Sequence, residues 1–162
     1  MKSLLRMLLL AILLLGASCS SYEWREYRSG PTTQAEVYDA IDYLARTDGF
    51  GPSTECDRGL AIWVSRWRVQ QIGLGRPGRL KLRVEILLEE SDPKEGFFVR
   101  YRIERQTVED LGKSLEPEED DWEDDGQDTE REALFGERLR RKLSNVTFDT
   151  KKTELPDIRS GR

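Results

Sequence analysis

Leu80-Lys81-Leu82-Arg83-Val84-Glu85-Ile86-Leu87-Leu88 is the stretch that decides the fold. Leu80, Leu82, Val84, Ile86 and Leu88 alternate with Lys81, Arg83 and Glu85, and a repeat of two is the period of a strand with one dry face. Downstream, Ser91-Asp92-Pro93-Lys94 reads as a turn, after which Phe97, Val99, Tyr101 and Ile103 alternate with Arg100, Arg102 and Glu104. Upstream, Leu60–Ile72 reads as a third strand, with Ala61, Trp63, Trp67 and Val69 on one face and Arg66, Arg68 and Gln70 on the other. Short connections imply an antiparallel meander.

Helical patterns flank the meander. Thr33-Gln34-Ala35-Glu36 fits a capping box, and Val37, Tyr38, Ile41, Leu44 and Ala45 follow at helical spacing. Gly49, Gly51, Pro52 and Gly59 predict a loop over residues 49–59. Thr129-Glu130-Arg131-Glu132 repeats the capping signature ahead of Ala133, Phe135, Leu139 and Leu143. That helix starts acidic and ends basic (Arg138, Arg140, Arg141, Lys142), which suits its dipole. Tyr22–Tyr27 alternates loosely and is a candidate edge strand; the alternatives are that its aromatics line a membrane interface or pack back on the domain. The predicted class is α+β: a three- to four-stranded antiparallel sheet with two amphipathic helices on one face, occupying residues 33–145. Within it, the acidic segment 116–128 is expected to be a solvated loop, and 146–162 a mobile tail.

The chain has 162 residues, a formal net charge of −5 and no histidine. The commonest general base, metal ligand and pH switch is therefore missing. No serine–base pairing and no paired carboxylates outside the charge runs are visible, so no enzyme is expected. Of the two cysteines, Cys56 has only Cys19 as an intramolecular partner.

Three constellations bear on chemistry. Gly73-x-Gly75-x-x-Gly78 matches a nucleotide-binding glycine pattern, but a strand follows where the dinucleotide version needs a helix, so it reads as a hairpin loop. Asp121, Glu123, Asp125, Gln127, Thr129 and Glu132 fall at the oxygen-bearing positions of an EF-hand loop, with Gly126 at the sharp turn. Calcium is the one cofactor this pattern suggests. Against it stand Glu123 at the third position and Pro117 in the place of an entering helix. Finally, Arg66, Arg68, Lys81, Arg83, Arg100 and Arg102 fall at corresponding polar positions of three neighbouring strands. Like charges opposed across a sheet repel, so something must compensate. Glu85, Glu104 and the acidic segment are internal candidates; an anionic ligand, whether a lipid headgroup or an acidic protein, is the external one.

The N-terminus supplies an address. Lys2 and Arg6 precede an unbroken apolar run of about nine residues, Met7–Leu15, followed by Gly16-Ala17-Ser18-Cys19. A helix needs about 20 apolar residues to cross a bilayer, so this run has the size of a signal-peptide core instead. The small residues leading to Cys19 resemble the lipobox of bacterial lipoprotein precursors, with Gly16 where that family carries leucine. The resemblance implies a signal peptide over 1–18, cleavage before Cys19, lipid on its thiol and new amino group, and a tether over 19–32. Ser20 in place of aspartate implies sorting to the outer membrane. The element order also resembles that of lipopolysaccharide-assembly lipoproteins, which pack two helices on a small sheet and touch anionic lipid. The sequence thus predicts a non-enzymatic, periplasm-facing lipoprotein in envelope assembly or maintenance. Its expected partners are the membrane and an anionic lipid or envelope protein complex, not nucleic acid.

Overall fold

In the computed structural model of the chain, residues 22–72 and 76–149 are described. The leader, Cys19, residues 150–162 of the expected tail and Gly73-Leu74-Gly75 of the glycine loop lie outside the described residues, whereas residues 146–149 of that expected tail are helical. The elements are β1 (Arg25–Arg28), α1 (Gln34–Thr47), β2 (Ser53–Asp57), β3 (Ile62–Ser65), β4 (Arg68–Ile72), β5 (Arg76–Asp92), β6 (Gly96–Thr107), β7 (Glu123–Gln127) and α2 (Thr129–Asp149). Short 3-10 turns at Leu111–Lys113 and Glu119–Asp121 join β6 to β7.

The alternation around Leu80 and Phe97 produces the long β5–β6 hairpin, paired without a slip from Gly78↔Thr107 to Leu87↔Phe98. Each of its strands is longer than any neighbour, so each free edge is lined by two short strands in tandem. On β5 these are β3 (Trp63↔Val84) and β4 (Arg68↔Leu80). On β6 they are β1 (Tyr27↔Val99) and β7 (Gln106↔Asp124). With β2 beyond β3, the result is one seven-stranded antiparallel sheet.

This corrects the expected sheet of three to four strands: the fold is richer in sheet than the hydrophobic pattern indicates. Ser53-Thr54-Glu55-Cys56-Asp57 and Glu123-Asp124-Asp125-Gly126-Gln127 carry no apolar alternation. They become strands because a neighbouring strand already offers unpaired backbone groups, which a side-chain pattern cannot reveal. The acidic segment is therefore partly β7 rather than all loop. Residues ahead of α1 are likewise part of the body: β1 pairs with β6, and Ser29 and Thr32 are buried.

The third expected strand is broken at Arg66-Trp67, and its phase flips there. Trp63 lies in the core opposite Val84, whereas Arg68 sits opposite Leu80 and Val69 opposite Arg79, with Val69 66% exposed. At the gap the Leu82 N–H of β5 has no strand partner. Buried Ser65 fills the place: its Oγ accepts that N–H at 2.9 Å and donates to Arg66 O at 2.8 Å.

One hydrophobic cluster joins the inner faces of β3, β5 and β6 to both helices. Val37, Ile41 and Ala45 of α1 and Phe135, Leu139 and Leu143 of α2 close over Leu82, Val84, Val99 and Ile103. Burial of each large side chain is worth roughly 1.5–3 kcal/mol. The capping box of α1 forms: Glu36 N donates to Thr33 Oγ1 at 3.3 Å, and Thr33 N donates to Glu36 Oε2 at 2.8 Å. The backbone bond from Thr33 holds the Glu36 carboxyl below its ordinary range. In α2 the expected box shifts by one residue. Asp128 is the cap, accepting Arg131 N at 3.0 Å, and Glu132 turns into the core. Gly136 lets α2 approach the sheet, since a Cβ there would fall 1.9 Å from the Tyr101 hydroxyl. Among the described residues no helix is long and apolar enough to cross a membrane.

Candidate functional site

Both helices cover one face of the hairpin. The alternate residues, Arg79, Lys81, Arg83 and Glu85 of β5 with Arg100, Arg102, Glu104 and Gln106 of β6, line the opposite, outer face. Four of the six basic residues singled out from the sequence, Lys81, Arg83, Arg100 and Arg102, meet there. The other two do not. Arg66 is exposed in the break, and the phase flip turns Arg68 to the helix side, where its guanidinium donates to Asp48 O and lies against Gly49.

Register decides the electrostatics. Arg83 is opposed by Arg102, but Lys81 faces Glu104 and Glu85 faces Arg100. Arg100 is matched, with Nε and Nη2 both donating to Glu85 Oε2 at 2.8 and 2.5 Å. Glu104 is shared. Arg102 reaches it at 2.7 Å, while Arg83 Nε stops at 3.6 Å and has no hydrogen-bond partner although buried. Lys81 forms no ion pair among the described residues, and its ammonium lies 4.2 Å from the centre of the Trp67 ring. Three cations therefore surround one carboxylate. Burial pulls the Lys81 amine below its ordinary range, against the opposing pull of Glu104.

Aromatic rings supply the floor and rim. Arg102 stacks over Trp24 at 4.5 Å and over Tyr22 at 4.7 Å, and Arg100 stacks over Trp24 at 4.9 Å. At the other end Arg79 lies between Trp67 and Trp122, 4.5 and 4.7 Å from their centres. Arg79 is only 6% exposed and is fully engaged: Nε donates to Gln106 at 2.7 Å, and its fork grips Glu119 at 2.7 and 2.6 Å. That grip holds the Glu119 carboxyl below its ordinary range and ties the segment between β6 and β7 to the sheet. Tyr22 donates to Asp124, and its phenol is pushed up by burial and then by that carboxylate. Cation–ring stacks of this kind strengthen as water is removed.

The six oxygen-bearing residues of the acidic segment are not brought around one point. Asp121 accepts from Lys113, and Asp125 pairs with Arg105 at 2.8 Å. Glu123 and Gln127 are the two ends of β7, whose pairing with β6 is interrupted by a register shift, and Gln127 turns its Nε2 to Glu132. Thr129 offers its carbonyl to Arg25. Glu132 is 1% exposed and acts as a strut: it accepts Ile103 N at 2.9 Å, Gln127 Nε2 at 2.8 Å and Arg25 Nε at 3.0 Å. Among the described residues no group of three acidic or cysteine side chains is arranged to hold a metal. Cys56 is an exposed free thiol on the edge strand β2.

Arg79, Trp24, Trp67 and Trp122 belong to the outer face, and of these Arg79 and Trp122 do not stand out in the sequence. Arg79 has the parity of Lys81 and Arg83 and lies one step before Leu80, so extending the alternation backwards finds it. Trp67 lies in the phase break, and Trp122 is hidden in a charge run. A recess between the helices, lined by Asp48, Phe50, Arg131 and Arg138, holds about 120 Å³, well short of the ~300–1,000 Å³ usual for small-molecule sites. No family model and no curated protein matches the chain.

Proposed function

We propose that this chain is a membrane-anchored lipoprotein of a bacterial envelope, facing the periplasm at the outer membrane. It acts without catalysis, as a binding or accessory subunit whose outer sheet face takes an anionic group. The leader and Cys19 support the address, by resemblance. The observation that carries the binding role is the convergence of Lys81, Arg83 and Arg102 around Glu104, with Glu119 as a further carboxylate acting on Lys81. An added phosphate or carboxylate would meet the exposed part of the Arg83 side chain and neutralise Lys81, and arginine and lysine both suit that task.

Two measurements test this. Intact mass of the protein purified from membranes should show Cys19 bearing diacylglycerol and an acyl chain; an unmodified thiol ends the lipoprotein reading. Inorganic phosphate, compared with chloride at equal ionic strength, should raise the melting temperature by about 2–4 °C for each 1 kcal/mol of linkage. The rise should vanish in Lys81→Gln/Arg83→Gln. An equal rise in that variant would remove the outer face as the site.

A further inference from the structure

The described chain begins at the edge of the sheet, with two of its rings on the outer face. Tyr22 lies under Arg102, and Trp24 lies under Arg100 and Arg102. Cys19 is three residues before Tyr22, and three residues of extended chain span at most about 10 Å. A lipid on Cys19 would therefore be held within about that distance of the Tyr22 backbone, whose ring lies on the outer face.

Resting on the anchored reading of Cys19, we infer that the outer sheet face lies against the headgroup layer of the bilayer that holds the anchor. Lys81 and Arg83 then engage lipid phosphates, and the helix-covered side points to the aqueous space. The composition of the face fits that placement. Trp24, Trp67 and Trp122 ring it at half-buried positions, and indole rings partition to the headgroup level. Lysine and arginine lay their stems on apolar surface and reach anionic phosphate with their heads. A short tether adds effective concentration, so contacts too weak to recruit a free protein suffice for an anchored one. The occupant is lipid rather than an acidic polypeptide because an anchor three residues before Tyr22 keeps the outer face within reach of headgroups.

The tryptophans report the contact directly. Trp63, the fourth, is buried in the core on the other side of the sheet. Full-length lipidated protein would be reconstituted into phosphatidylethanolamine–phosphatidylglycerol vesicles carrying a headgroup spin label. Tryptophan emission should fall about twofold relative to unlabelled vesicles. Lys81→Glu/Arg83→Glu should still float with the vesicles while losing most of the quenching. Should that variant melt non-cooperatively, Lys81→Gln/Arg83→Gln replaces it with the same expectation. Ten Gly/Ser residues inserted between Ser21 and Tyr22 should also relieve quenching without releasing the protein. Flotation with unquenched wild-type tryptophans would overturn the inference, leave the anchor standing, and favour an occupant from the aqueous side such as an acidic polypeptide. Protein that fails to float and carries a bare Cys19 thiol would overturn both.

Discussion

The two faces of the β5–β6 hairpin are made from alternate residues of the same two strands, yet each is held by different forces. Leu80, Leu82, Val84 and Ile86 are closed under the helices by shape and volume. Arg79, Lys81, Arg83 and Glu85 are held on the outside by stacking over rings and by sharing carboxylates. The inner face has no slack, since a packed interior feels the loss of a single methylene. The outer face is less closely matched: Lys81 forms no ion pair among the described residues, and Arg83 Nε has no hydrogen-bond partner. Stability should therefore follow the first face and ligand response the second.

The contrast is tested first where the largest effect is expected. Leu139→Ala empties a fully buried position under the sheet and should cost about 2–5 kcal/mol in urea unfolding. A loss below 1 kcal/mol would mean that α2 is not a true lid on the core. Arg79→Ala, on the other face, should cost less, about 1–2 kcal/mol, because Glu119 can turn to water. Its signature is local: amide exchange across 109–122 should quicken while α1 stays protected, and uniform acceleration would contradict the proposed tie. Glu36→Gln should cost at most about 0.5 kcal/mol at pH 7. The folded carboxyl is depressed, so its contribution is present above the unfolded carboxylate range and disappears as pH falls through the folded value. Wild type and variant should therefore converge in stability once the pH lies below the folded value. Smallest of all, Lys81→Gln/Arg83→Gln should leave stability within about 0.5 kcal/mol while abolishing the phosphate response. A large destabilisation there would show that the outer face is structural.

The parts of the fold legible in the sequence were those whose side chains declare their environment. Alternation from Leu80 to Leu88 and from Phe97 to Ile103 reads directly as the hairpin, and Thr33 with Glu36 reads as a helix start. Lys81, Arg83, Arg100 and Arg102 were placed on one face because both strands keep their phase through those positions. Arg68 was misplaced because Ser65 substitutes for a strand partner and lets the chain skip a beat, a substitution no periodicity records. β2 and β7 were missed because backbone pairing alone recruits them. Glu132 reads as a cap or a calcium ligand from its spacing, yet it is buried because Ile103 N–H and Arg25 need an acceptor there.

No flanking strand runs the full length of the hairpin, and this has a mechanical consequence. A tear that starts at one corner of the sheet ends at the junction between tandem strands instead of unzipping the whole edge. The Ser65 hydroxyl is such a firebreak: β4 can peel from β5 while β3, with Trp63 seated beneath it, keeps its grip. A pull at either end of the chain can thus open a margin of the sheet and leave its centre in place.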